Sequence, residues 1–286
     1  QLLTKGDVDI VDTLGAEVLE PLKQDKNISI SRTPSFQQLT VFLNTKKPPL
    51  DNKKVRQALA YLMPYEDLVN FVMKGHAVQA RGVVPPNLWG HGEDLYQYNL
   101  DPEKAKALLA EAGYPDGGFK LLYTYTAGDQ NIQKMGELFK DSLAKAGIEL
   151  ELRGMTVDSK YNLAKATDPL DRQDITTLYW WPDNIDPQGY LVCQFHSEDR
   201  IGYNFGYYSN AEVDRLIDEA VELSGVSIEK AVEKYIRAQE IILEDCPAIM
   251  TYCDEYVRPY RNNLGGYKDN PGYPETVFFY DLFRIN

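Results

Sequence analysis

The stretch from Phe119 to Leu152 constrains the fold of this chain most. Phe119, Leu121, Tyr123 and Tyr125 alternate as a strand with one buried face. Ile132, Met135, Phe139, Leu143 and Ala146 then follow helical spacing up to Gly147, and Ile148, Leu150 and Leu152 alternate again. Strand, helix, strand in this order predicts a right-handed crossover with both strands parallel in one sheet, because a right-twisted strand feeding a right-handed helix packs back only that way. A helix near Lys160 to Ala166 and the apolar run Ile175 to Trp180 continue the alternation and add a third parallel strand. The class is α/β.

The flanks fit helices and strands around that unit. Upstream, Val8 to Val11, Ile28 to Ser31 and Leu39 to Leu43 read as short strands, with a helix near Ala16 to Leu22. Asp51 precedes helical spacing at Val55, Ala58, Leu59 and Leu62. Pro64 separates this helix from a second one carrying Tyr65, Leu68, Val69 and Val72 before Gly75. Residues 82–100 hold Pro85, Pro86, Gly90 and Gly92 without a period, which predicts a surface loop packed by Trp89, Tyr96 and Tyr98. Asp101, Pro102 and Gly113 punctuate the next helix as cap, first residue and stop. Downstream, Ser209 and Glu212 suggest a capping box, and a further helix runs from about Glu229 to Glu244 before Pro247. Ile249 to Tyr252, Tyr256 to Tyr260 and Thr276 to Tyr280 read as closing strands. Leu2, Leu3 and Lys5 read as the tail of a helix, and we expect the natural chain to continue upstream of Gln1.

Composition limits function. With 43% hydrophobic and 26% charged residues among 286, the chain can bury a substantial core. A formal net charge of −13 repels a phosphate backbone, and no basic stripe carries interleaved aromatics, so nucleic acid is not an expected partner. No apolar run approaches the roughly 20 residues that span a bilayer. Cys193, Cys246 and Cys253 contain no C-x-x-C, which argues against a disulfide framework and a thiolate zinc site. They read as small buried residues, and a bridge from Cys246 to Cys253 would need a bend between them. The sequence holds no phosphate-binding, dinucleotide, zinc-protease or nucleophile-elbow motif, so we expect no enzyme and no cofactor. Of His76, His91 and His196, only His196 stands at helical spacing from another soft ligand, Cys193. A half-buried surface histidine is the favoured reading, and no metal site is expected.

The segment Leu178 to Pro187 concentrates aromatics and carboxylates where the chain leaves the third strand. Ligands of open α/β sheets bind beyond the carboxyl ends of their strands. There Trp180 and Trp181 would supply rigid apolar walls, and Asp183 would pair with a ligand ammonium. Against this, Trp180 reads equally as core and Asp183 as a turn residue. Asp186 is expected to cap a helix Gln188 to Phe195, with Pro187 at its first position. Two carboxylates in one cleft also describe a glycosidase, but nothing supplies the rest of such a site.

At this point several segments resemble one family, the peptide, nickel and sugar solute-binding proteins of ABC importers, called family 5. Gly6-Asp7-Val8-Asp9-Ile10-Val11 resembles its Gly-Glu-x-Asp-Ile segment, and Asp51 to Leu59 its D-x-x-V-R-Q-A-L helix start. Trp180-x-x-Asp183-x-x-Asp186-Pro187 resembles its W-x-x-D-x-x-D-P ligand segment. Tyr208 to Asp214 and Glu240 to Pro247 complete the order. The resemblance implies a type II periplasmic-binding-protein lobe with a mixed, largely parallel sheet flanked by helices, plus strands belonging to a missing second lobe. It places residues 1–35 with the other lobe, 36–255 in the ligand-enclosing lobe and 256–286 in return strands. It implies a monomer outside the cytoplasm, periplasmic or at the cell surface and lipid-anchored as a precursor, that captures oligopeptides for a membrane permease. Oligosaccharide or nickel binding is the alternative. It gives Asp183 the role of ammonium clamp, beside Trp180, Trp181 and Tyr125, and makes Arg56 a structural residue that pairs nearby carboxylates. Dipeptide binders carry an arginine near the end of the earlier strand, where this chain reads Thr124 to Gly128; this puts a dipeptide ligand in doubt.

Overall fold

A computed structural model describes residues 1–11, 14, 16–273 and 277–285. In chain order the helices are α1 (Leu2–Lys5), α2 (Ala16–Leu22), α3 (Lys53–Tyr61), α4 (Tyr65–Asp67, continued by a π-helical turn Leu68–Val72), α5 (Pro102–Glu111), α6 (Gln130–Ala144), α7 (Val157–Ala164), α8 (Gln188–Phe195), α9 (Ala211–Ser224) and α10 (Ile228–Asp245). The strands are β1 (Ile28–Leu43), β2 (Ala77–Gln79), β3 (Lys120–Thr126), β4 (Glu149–Met155), β5 (Ile175–Trp180), β6 (Ala248–Arg261), β7 (Leu264–Gly265) and β8 (Phe283–Arg284).

The predicted crossover is present: β3 pairs in parallel with β4, from Lys120↔Glu149 to Thr126↔Met155, and with β5 through Tyr123↔Ile175. The six-stranded sheet runs in the order β2-β6-β1-β5-β3-β4 and is mixed. Its parallel pairing is confined to β5-β3-β4; β1 is antiparallel to both β5 and β6, and β2 to β6. β1 and β6 are each continuous where the sequence suggested two short strands. Their apolar runs are interrupted by Arg32 to Ser35 and Asp254 to Glu255, but these polar stretches stay in the ladder, apart from a register shift between Pro34 and Gln38.

Other expectations need correction. Val8 to Val11 forms a single bridge, Ile10 with Tyr260, and not a strand. Thr276 lies outside the described residues, while Phe279–Asp281 is a 3-10 turn. The cap of α9 is Asn210, whose side chain accepts from the Glu212 and Val213 amides, and not Ser209. Asn52, not Asp51, caps α3. All three cysteines are free, and Cys246 and Cys253 are buried.

Alternation along the strands gives the sheet two buried faces. One packs Leu39, Val41, Tyr123 and Ile175 under α3, α5 and α6; the other packs Phe42 and Leu178 under α8, α9 and α10. A small third cluster of Leu3, Leu22 and Ile28 stands apart, on the arm where β1 and β6 run beyond the register shift. The loop 82–100 is pinned to the second face by Gln239. Its buried Oε1 accepts from the Val83 and Val84 amides, and its Nε2 donates to the Gly90 carbonyl at 2.9 Å.

Candidate ligand-binding site

The parallel strands end together at Thr126, Met155 and Trp180, and the chain leaves β5 through the segment 181–187. Two contacts fix that segment. Trp89 donates its indole N–H to the Ile185 carbonyl at 3.1 Å, and an Asp186 carboxylate oxygen accepts from the Gln188 amide at 2.8 Å at the start of α8. The cap position of α8 is taken by Pro187, at helical dihedrals and with no side-chain cap, and not by Asp186 as expected; Asp186 stands one residue earlier and holds the Gln188 amide. Gly90 lies against this corner. At φ +82° it adopts a conformation that suits glycine, and a Cβ there would come within 2.7 Å of Pro187 Cγ.

Asp183 is exposed and shares a depression of about 200 Å³ with Asp186, Gly189 and Cys193. Burial pushes the Cys193 thiol up, and the Asp183 charge adds to it, which places the two groups close. Trp181 is 42% exposed. Trp180 is half-buried, its ring edge-on to Tyr203 at 4.9 Å, and its N–H meets no acceptor among the described residues. Tyr203 is itself 42% exposed, so the Trp180–Tyr203 pair is partly open to solvent.

Tyr125 stands elsewhere. It is near the carboxyl end of β3, but it packs with Tyr123 against the first core, whereas Trp180 packs against the second. The structure brings Trp180, Trp181 and Asp183 to one corner and leaves Tyr125 on the opposite face of the sheet.

Sequence reasoning missed a group of buried titratable residues at the same edge. Asp129 caps α6, its Oδ1 accepting from the Ile132 amide at 3.0 Å, and burial raises its pKa. Lys160 on α7 is 4% exposed; burial pulls its ammonium down to about 8, partly offset by the Asp129 charge, and Nζ donates to the Thr177 carbonyl at 2.9 Å. Tyr179 and Tyr252 share a hydrogen bond of 2.6 Å. A cap directly beyond a strand end was readable at Asp129. Lys160 carried no signal beyond its spacing from buried Ala164. His196 faces Asp214 and Asp218, and among the described residues no three His, Cys, Asp or Glu side chains gather as a metal set.

An α/β lobe that gathers exposed aromatics and a carboxylate beyond the carboxyl ends of its parallel strands has the architecture of type II periplasmic binding proteins. The model of the bacterial extracellular solute-binding proteins, family 5 (middle region), matches residues 1–201, and the chain belongs to that family. It is 28% identical over 270 residues to a probable D,D-dipeptide-binding periplasmic protein of Escherichia coli, covering 94% of this chain and 51% of that protein. It is 30% identical to a probable di/tripeptide-binding protein of Pseudomonas aeruginosa, covering 95% of this chain and 51% of the relative. The periplasmic binding protein DppA of Helicobacter pylori, solved with the peptide STSA, superposes with a TM-score of 0.87 at 23% identity, over all of this chain and 54% of that one. The chain spans about half the length of the curated relatives it matches.

Proposed function

We propose that this chain forms the ligand-enclosing lobe of the capture subunit of an ABC importer, taking up oligopeptides outside the cytoplasm for a membrane permease. A second lobe, equivalent to the part of the relatives that this chain does not match, completes the enclosure. The register shift at Pro34 to Gln38 would mark where residues 1–35 and 256–286 pass to that lobe, and closure about this point would desolvate the ligand. Relatives named as dipeptide- and di/tripeptide-binding proteins support peptides as the ligand class. The observation that carries the site is the exposed Asp183, held on a fixed loop beyond β5 beside an exposed tryptophan.

In this reading Asp183 receives the peptide ammonium, and Trp180 and Trp181 bound the first residues. A charge-assisted bond that closure takes out of water is stronger than one left exposed. Backbone hydrogen bonds to strand edges would carry the remaining affinity with little sequence preference. Tyr125 would reach ligand only from the other face of the sheet, as a separate contact. Stacking on a sugar is the second reading, favoured by the exposed faces of Trp181 and Tyr203.

Tryptophan fluorescence of the complete gene product, titrated with a mixed oligopeptide pool, tests the proposal. A saturable change should weaken more than about tenfold, or 1.4 kcal/mol, in Asp183→Asn and on N-acetylation of the peptides. A response to oligosaccharides alone, surviving Asp183→Asn, would replace the clamp with sugar stacking.

A further inference from the structure

The strand-end site leaves unused a concavity of about 870 Å³ on the flank of the lobe, between the end of α7, the segment entering β5 and the loop 197–209. Lys46, Lys165, Arg172 and Arg200 line it, against the carboxylates of Glu198 and Asp199. On a chain of net charge −13 this is a local excess of cations, which attracts anions into a walled space that the rest of the surface repels.

Their state differs from that of the surface cations that are held in ion pairs. Lys23, Lys53, Lys120, Arg215 and Arg237 all pair with carboxylates on the surface. Among the described residues none of the four basin cations makes an ion pair. Glu198 is occupied within its own loop, where Oε2 accepts from the Gly202 amide at 2.8 Å. Two of the cations are positioned by aromatic faces instead. The Arg172 guanidinium carbon lies 4.3 Å from the Tyr207 ring centroid, with Nε donating to the Ala166 carbonyl at 2.7 Å. Lys165 Nζ lies 5.9 Å from the ring centroids of both Tyr161 and Tyr203. A cation held over an aromatic face keeps its charge and its remaining donors for another partner.

We propose that this basin is a second ligand site, for an organic anion carrying more than one phosphate. Its volume exceeds what a single inorganic ion fills and falls within the range of pockets for organic ligands, roughly 300 to 1,000 Å³. Cations spread around the wall match several anionic groups. The Arg172 and Arg200 forks suit phosphate oxygens bidentately, and Lys46 and Lys165 act as point charges. The required chemistry occurs both in soluble phosphate esters and in phospholipid headgroups. The site is independent of the peptide reading of Asp183.

The test uses the 286-residue chain, with fructose 1,6-bisphosphate followed by calorimetry and, separately, sedimentation with phosphatidylcholine vesicles with and without cardiolipin. Saturable binding should weaken as salt rises. It should also fall by about tenfold or more in Arg172→Gln/Arg200→Gln and stay unchanged in Lys53→Gln, a charge loss outside the basin. The double variant must melt with the parent. Should it not, Lys46→Gln/Arg200→Gln, which removes two exposed cations only, takes its place. Binding of the sugar bisphosphate alone assigns the site to soluble esters, and capture by cardiolipin vesicles alone assigns it to a headgroup. Absence of saturable binding to either probe, or binding that survives the variants, overturns the proposal.

Discussion

At the scale of single residues, Asp254 shows how a carboxyl inside a strand is set by its surroundings. It lies on β6 opposite the register shift of β1, where Ser35 Oγ donates to its Oδ1 at 2.9 Å. Burial pushes its pKa up to about 7, against the Ser35 hydrogen bond, which favours the charged form. Burial raises the pKa values of Tyr179, Tyr252, Cys253 and Tyr256, and the Asp254 charge adds to each. In the unfolded chain Asp254 titrates near its ordinary 3.8. Between about 4 and 7 the folded state therefore holds a proton that the unfolded state has released, and stability falls as pH rises. The contribution is full below about 4 and gone above about 7, amounting to about 4 kcal/mol. Asp254→Asn cannot lose a proton, so its stability relative to the parent should climb across this window and level off above it. Urea unfolding of both proteins at several pH values checks this; a constant difference would mean that Asp254 titrates normally. The sequence showed the corner of Trp180 and Asp183 because aromatics and carboxylates crowd there. It could not show Asp254 or Lys160, whose environments come from strands and helices distant in the chain.

At the scale of elements, the helices were legible and the long strands were not. The stripes of α5 and α6 and their stop signals mark helix ends within a residue or two, since an amphipathic face must repeat wherever it meets a core. β1 and β6 hid because the residues joining their apolar parts are polar, and pairing between distant segments leaves no local period. The joint between α3 and α10 shows the same blind spot. Arg56 reads as a residue that pairs carboxylates, yet its buried guanidinium donates to backbone carbonyls: Leu50 and Asp51 before its own helix, and Asp245 and Cys246 at the end of α10. It thereby satisfies carbonyls that a helix end leaves without partners. Lysine keeps the charge but not the fork, and several buried carbonyls would lose their donors. Arg56→Lys should therefore cost about 2 to 4 kcal/mol and lower the urea midpoint at unchanged slope. A midpoint equal to the parent's would show that the carbonyls find other donors.

For the whole molecule, the division of cores sets how the chain opens. The main body holds two large clusters on opposite faces of one sheet, and its strands are covered on both sides. The arm rests on Leu3, Leu22 and Ile28, with Val8, Val11 and Leu14 partly buried around them. Phe279, Tyr280 and Phe283 on the same part of the chain are exposed, beside an apolar groove of about 580 Å³ lined by Ile10, Leu264 and Leu282. Apolar burial drives folding at roughly 25 cal/mol per Å², so an arm with so small a core has little to hold its half of the β1–β6 ladder closed. A buried ion pair opposes this, Arg258 with Asp269, which also receives Ser31 Oγ at 2.6 Å; the more exposed pairs Arg32–Glu255 and Arg284–Asp9 add to it. The two ends of the same pair of strands should therefore differ in native-state hydrogen exchange. In the 286-residue chain, amides of Ile28 to Thr33 and of Tyr256 to Arg261 other than Pro259 should exchange through a low-energy opening, while those of Leu39 to Leu43 and Ile249 to Tyr252 exchange only on global unfolding. Asp269→Asn weakens the buried ion pair of the arm and should speed exchange in the first group alone. Equal protection along β1 and β6 would mean that arm and body unfold as one unit, and the register shift at Pro34 would then be no point of division.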